Sequence, residues 1–405
     1  EFEPYRTTLQ VESSRVAEVT IPLARWIDLA SEGWYSGNTH VHYNEKEDRP
    51  DERLRLDPVV HDLCFTAISH VQRWDVHYAS NKYPLGALKG FSTRERVVCC
   101  GQENRHNIRD WEIGYGHVLL LKLNSPVLPI SRGLLVDEGT PDYPPLCHDL
   151  TRAKEQGGVT LWCHNGMGME APVAAILGKV DAFNLFDTFL YSPEGYRVWY
   201  DLLNCGIRLP ASTGSDWFVC SNNRVYVCLQ DGFTHDSWLE GLKAGRSFIT
   251  NGPALFLKVN GNIPGSSIPV DGDGSLGVEV TWKWHQPLEL LELVWNGEVI
   301  ASVPISKGNM DGDWRRDIPL REDGWLVARL YSSERDSFFQ PIFAHTSPVW
   351  VQAGRLSQAC RDSTARLVYG LEEAMDWISS SAKFENPGQR ADVLELYERA
   401  IEMAR

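Results

Sequence analysis

Between about Trp34 and Cys228 the chain alternates short apolar runs with helix-like stretches. Leu63–Ile68, Arg96–Cys100, His117–Leu121, Val159–Cys163 and Val225–Cys228 are near-continuous apolar runs bounded by turns, the pattern of strands buried on both faces in a parallel sheet or barrel. Asp149 to Gln156, closed by Gly157 and Gly158, predicts a helix with a glycine stop. The layout is α/β. Near Gly252-Pro253 the pattern changes: Leu255–Val259, Gly277–Trp282, Leu288–Val294 and Trp325–Leu330 are separated at short intervals by turns that include Asn260-Gly261 and Asn296-Gly297. That predicts an antiparallel β-sandwich. In the tail Leu356, Cys360, Leu367, Leu371, Met375 and Ile378 recur at helical spacing, and after Asn386-Pro387-Gly388 so do Val393, Leu394, Ala400 and Ile401. A helical hairpin with one buried face follows. The expected division is 1–252, 253–352 and 353–405.

Composition narrows the classes. A chain of 405 residues with 43% hydrophobic content exceeds what one core usually serves. A net charge of -15 argues against nucleic acid or an anionic membrane surface as a general partner, leaving a small-molecule substrate as the expected ligand. Nine cysteines without a CxxC ladder read as reduced core residues. No apolar run reaches membrane-spanning length, and the start at Glu1-Phe2-Glu3-Pro4 has no signal-peptide character. A soluble protein is expected, cytoplasmic or, after removal of a leader, periplasmic.

Ten of the twelve histidines precede residue 240, several just after an expected strand, where α/β barrels assemble their sites. In Gly37-Asn38-Thr39-His40-Val41-His42 the two histidines share one strand face and can reach one ion. Further candidates are His70, Glu103, His117, His164 in Trp162-Cys163-His164-Asn165-Gly166, and Asp216 in Thr213-Gly214-Ser215-Asp216-Trp217. Asp271-Gly272-Asp273-Gly274 lacks the remaining ligands of a calcium loop and reads as a turn.

Taken together these residues resemble the PHP (polymerase and histidinol phosphatase) superfamily of metal-dependent hydrolases. The fuller phrasing is similar to its CehA/McbA, carbaryl-hydrolase-like branch: Gly33–His42, Gly245-Arg246-Ser247-Phe248-Ile249-Thr250-Asn251-Gly252-Pro253, Gly324–Arg329 and Ala344-His345-Thr346-Ser347-Pro348. The resemblance implies a distorted (β/α)7 TIM-like barrel ahead of the sandwich and the hairpin. It implies that His40, His42, Glu103 and Asp216 hold one divalent metal ion, while Glu103 bridges to a second held by His117 and His164. Zinc, manganese and iron(II) share such ligands. Asn38, Ser69 and Phe218 depart from the trimetal members of the superfamily, which implies a dinuclear site and frees His70 for proton transfer.

A carboxylate-bridged metal pair lowers the pKa of a shared water and polarises the bond to be cut, with Asp216 and His70 as catalytic residues. The branch favours a carboxylic ester or carbamate. Trp74, Trp111, Trp162 and Trp217 lie close to the motifs in sequence and would suit an aryl leaving group. Arg73, Trp217 and Arg224 are the expected substrate contacts, the arginines for a phosphate or carboxylate. The alternatives are a phosphoesterase, and an inactive module binding ligands through Trp282, Trp284, Trp295 and Trp314 of the sandwich. Asp187, Asn184 and Glu170 are expected to border the pocket without a catalytic role.

Overall fold

The structure, a computed structural model, describes all residues except 12, 14–15, 74–76, 110–111, 188–195, 218–220, 271–274, 307–308 and 321. Trp74, Trp111, Phe218 and the turn expected at 271–274 therefore lie outside the described residues, as does the side chain of Trp217. The first part of the chain runs β1 (Trp34–His42), α1 (Pro50–Val60), β2 (Phe65–His70), β3 (Gly86–Ala87), β4 (Val97–Arg109), β5 (Glu112–Leu121) and β6 (Ser131–Gly133). It continues through α2 (Leu146–Glu155), β7 (Val159–Cys163), α3 (Ala171–Ile176), β8 (Ala182–Asn184), α4 (Arg197–Asn204), β9 (Ala211–Ser212), β10 (Asp216–Trp217), β11 (Arg224–Cys228), α5 (His235–Lys243) and β12 (Ser247–Thr250). Strands follow almost exclusively after that: β13 (Ala254–Val259), β14 (Ser267–Pro269), β15 (Ser275–Lys283), β16 (Leu290–Trp295), β17 (Glu298–Pro304), β18 (Asp311–Pro319), β19 (Gly324–Arg335), β20 (Pro341–Thr346) and β21 (Val349–Gln352). Two helices, α6 (Gln358–Ser380) and α7 (Pro387–Ala404), close the chain.

The large sheet is a curled run of thirteen strands, β17-β16-β19-β20-β12-β11-β1-β2-β4-β5-β7-β8-β9, with shorter strands attached. Its central pairs are mixed rather than all parallel. β1–β2, β2–β4, β7–β8 and β8–β9 are parallel, whereas β4–β5, β5–β7 and β1–β11 are antiparallel. Continuous apolar runs report burial on both faces, not strand direction, so His117 sits on the return arm of an antiparallel pair. Past β9 the chain comes back to β1, where β10 pairs in parallel through Val41 and Asp216.

The sheet does not stop at Pro253, because β12 pairs with β20 through Phe248 and Thr346. A smaller antiparallel sheet, β13-β15-β18, faces the far end of the large one. Leu257, Val280 and Trp282 share an apolar core with Leu291, Leu293, Trp295 and Leu330 of the large sheet. Two of the tryptophans considered as a ligand face are thus core residues. The β16–β17 hairpin turns through Asn296 (φ 50°) and Gly297 (φ 90°), the pair of positive angles that a two-residue type I′ turn needs.

The tail forms the expected hairpin and packs on the main core. Leu367, Leu371 and Ile378 of α6, and Val393, Tyr397 and Ala400 of α7, join the same cluster as Trp162 and Trp199. Asp201 of α4 accepts from Ser363 Oγ (2.6 Å) and Arg366 Nη2 (2.5 Å), tying α6 down. Leu356 falls before the helix begins and is 69% exposed, so it does not belong to the buried face. Replacing Leu371 by Ala is expected to cost about 2–5 kcal/mol, while Leu356→Ala stays within about 0.5 kcal/mol. Denaturant titration of both variants measures the difference.

Candidate metal centre

β1 brings His40 and His42 to one face, and both are buried. The return of the chain at 213–216 holds them there. The Asn38 side chain donates through Nδ2 to Ser215 Oγ, and its Oδ1 accepts from the backbone N–H groups of His40 and Ser215, both at 3.2 Å. Asn38 therefore fastens β1 to this segment. A Cβ on Gly214 would lie 2.5 Å from His40 Cβ, so only glycine permits the close approach. Two residues on, Asp216 takes a left-handed backbone (φ 59°), an angle Asp tolerates better than most residues, and its carboxylate meets both rings.

Glu103, Arg105 and Asn107 alternate along β4 and share a face. Opposite them on β5 stands His117, paired with Arg105 on one side and with Cys163 of β7 on the other. His164 follows Cys163 directly. Strand register thus gathers Glu103, Arg105 and His117, with His164 in the bend directly after β7.

Two groups result, and within each the candidate ligand atoms lie within 4.8 Å of one another. In the first, Glu103 Oε2 is 2.7 Å from His42 Nε2 and 3.4 Å from His40 Nε2, and Asp216 Oδ1 is 3.3 Å from each. In the second, Glu103 Oε1 is 3.1 Å from His117 Nδ1 and 3.9 Å from His164 Nε2. One carboxylate serves both groups, one oxygen each. These buried residues could hold metal ions.

The far side of each ring supports that reading. His40 Nδ1 is 3.2 Å from Asp187 Oδ2, and His164 Nδ1 is 2.8 Å from Asp187 Oδ1. His42 Nδ1 faces the Ser69 carbonyl at 3.3 Å, and His117 Nε2 faces Asn107 Oδ1 at 2.7 Å. A neutral imidazole that donates outward points its lone pair inward. The inward atoms then confront each other, His40 Nε2 with His42 Nε2 at 3.0 Å and His117 Nδ1 with His164 Nε2 at 3.3 Å. Such pairs need a proton or a cation between them.

Electrostatics separates the two groups. Burial alone would keep His40 neutral, but the Asp216 and Glu103 carboxylates outweigh it and lift His40 to about 10. Burial and the Arg105 charge push His117 down to about 3. Burial opposes ionisation of Glu103, yet Arg105 and His40 hold it well below the usual carboxylate range. Burial likewise opposes Asp216, and His40 and His42 bring it below its ordinary value. A third grouping, His40, Cys163, His164 and Asp187, is equally close. Burial drives the Cys163 thiol well above its usual range, however, so it is no ready thiolate ligand.

All six expected ligands, His40, His42, Glu103, His117, His164 and Asp216, come together. The other site candidates are placed differently. His70 ends β2 and directs Nε2 to the Tyr83 carbonyl at 2.7 Å. Arg73 is half-buried, and its charge acts on the Tyr78 phenol beside His42. Arg224 turns elsewhere, into a cavity lined by His61, Asp62, Tyr226, Trp284 and Asp336, none of which belongs to the cluster. Its Nη1 donates to the Asn223 carbonyl (2.9 Å) and its Nη2 meets His61 Nδ1 (3.3 Å). Trp162 is fully buried and donates to the Met167 carbonyl. Glu170 caps α2 by accepting from the N–H groups of Leu146 and Cys147. Asn184 meets Thr39 Oγ1 at 3.2 Å. Arg105, Asn107 and the clamping role of Asp187 were not foreseen, although the period-two step from Glu103 could have flagged the first two.

No protein-family model, no curated protein and no solved structure matches the chain.

Asp187 touches no shared inward atom, yet Asp187→Ala is expected to weaken metal uptake by about 10–100-fold, read by titration of metal-free protein. Uptake also depends on pH. With its pKa raised to about 10, His40 carries a proton at neutrality that it must lose to become a ligand. Apparent affinity therefore rises with pH, by up to about tenfold per unit below that value, and metal titrations at two pH values measure the slope.

Proposed function

We propose that the chain is a metal-dependent hydrolase of the PHP type, built on a distorted (β/α)7 barrel. It holds two divalent ions, zinc, manganese or iron, and cuts a carboxylic ester or carbamate. The observation that carries this reading is the division of Glu103, whose Oε2 faces His40 and His42 while Oε1 faces His117 and His164. A bridging carboxylate helps offset two like-charged ions held close together.

Such ions, when bound, lower the pKa of a water and polarise the oxygen of the bond to be cut. The chain's own residues prepare for that chemistry. Asp187 orients His40 and His164, the Ser69 carbonyl orients His42, and Asn107 orients His117, so the inward ring nitrogens are aimed before any metal arrives. His40, His42, Glu103 and Asp187 are 0–1% exposed, which keeps bulk water from screening charge at the site. His70 is proposed to hand a proton to the leaving group. With Nε2 engaged by Tyr83, Nδ1 is the ring atom left for that task.

A phosphoester substrate is the second reading, favoured by the Arg105 guanidinium next to Glu103. Purified protein of known metal content, assayed with 1-naphthyl methylcarbamate, p-nitrophenyl acetate and p-nitrophenyl phosphate, with zinc, manganese or no added metal, decides between the two. Activity confined to the phosphate overturns the ester or carbamate assignment. His164→Ala and Asp216→Ala are each expected to lower turnover by orders of magnitude while leaving the circular dichroism spectrum unchanged. Near-wild-type turnover in either variant at matched metal load would remove the hydrolase proposal.

A further inference from the structure

Arg105 is a buried arginine in contact with the bridging carboxylate, and its bonding is incomplete. It is 7% exposed. Nε lies 3.4 Å from Glu103 Oε1, an ion-pair distance, and is buried without a hydrogen-bond partner. That nitrogen belongs to a guanidinium with five N–H groups in a rigid fork. A buried guanidinium normally spends those donors on carbonyls or carboxylates. Arg132 of the same fold makes two bonds through Nη2, to the Pro129 carbonyl (2.7 Å) and to Asp149, although its Nε and Nη1 are also buried without partners.

The surroundings add to the argument. Arg105 stands opposite His117 in the β4–β5 register, so it flanks the second group. The Arg105 and Arg73 charges both act on the Tyr78 phenol, whose ring packs edge-on against His42. Once two divalent ions are in place, Glu103, Asp216 and Asp187 do not balance them, and Arg105 makes the excess larger. A buried space with excess positive charge and a planar fork whose Nε is unpaired suits an oxyanion.

We propose that Arg105 is a specificity residue, and that the substrate carries anionic oxygens at or beside the bond that is cut, taken by the guanidinium fork next to the metal pair. This rests on the hydrolase reading above and narrows its substrate class. The anionic oxygens can come from a phosphoryl group that is itself attacked, or from a carboxylate neighbouring a scissile ester or carbamate. Neutral aryl esters and carbamates would leave that Nε unpaired.

The test uses the full chain loaded with manganese, its metal content measured by mass spectrometry, and calorimetric titration with inorganic phosphate and, separately, with malonate. Wild type is compared with Arg105→Met and Arg105→Lys, the second of which keeps the charge should the first fail to fold. Tighter binding of phosphate points to the phosphoryl source and tighter binding of malonate to the carboxylate source. Either supports the proposal if the preferred anion binds at least about tenfold more weakly to Arg105→Met, or to Arg105→Lys where only that variant folds, at unchanged metal content. Unchanged anion affinity in the variants overturns it. Loss of metal together with anion binding also overturns it, assigning Arg105 to the positioning of Glu103 and leaving the hydrolase reading standing. Wild-type protein that takes up no metal defeats the hydrolase reading, and this proposal with it.

Discussion

The constraint on which the rest of the site depends is that four imidazoles and three carboxylates are packed where water cannot solvate them. His40, His42, His117 and His164 turn nitrogens toward Glu103 and Asp216, and Asp187 holds two of the rings from behind. Buried charge of this density is tolerated only when it is paired or coordinated. A proton can do part of the work, as the raised His40 shows. It cannot do all of it, because burial and the neighbouring Arg105 keep His117 from taking one up near neutrality. Divalent cations would satisfy both groups together.

The fold serves this cluster through sheet register. Glu103, His117 and the Cys163–His164 step lie in adjacent strands β4, β5 and β7, so their spacing is set by backbone hydrogen bonds. His40 and His42 come from β1, pinned to the 213–216 segment by Asn38 and by the close approach at Gly214. Sites on strands are held more tightly than sites on loops. The α6–α7 hairpin and the small antiparallel sheet extend two apolar cores around this frame.

Much of this was legible in the chain, and the reasons differ by element. The Asn296-Gly297 turn, the strands of the sandwich and the tail helices follow from local rules that tertiary context does not override. The mixed direction of the central sheet was not legible, since a strand buried on both faces reads the same in either orientation. His-x-His, the strand-end histidines and the Gly-Ser-Asp turn are chemically conspicuous, whereas Glu103 and the choice of these six over His70 rest on the family resemblance. Nothing in the sequence assigns Asp187 a role, because its place behind two histidines depends on the path after β8. Arg224 illustrates the opposite failure: near the motifs in sequence, it faces another cavity, and β-strand alternation decides which side a residue takes.

Asn38 and Ser69 change meaning in the structure. Each reads in the sequence as a departure from the trimetal pattern that the chain resembles, whereas in the structure Asn38 fastens β1 and the Ser69 carbonyl orients His42. On the proposed reading Glu103 joins two metal sites. Electron paramagnetic resonance of the protein saturated with manganese(II) tests it most directly. Two ions sharing one carboxylate are expected to give the spectrum of a magnetically coupled pair at two equivalents per chain. Saturation at one equivalent, or the spectrum of isolated ions at full loading, would contradict it.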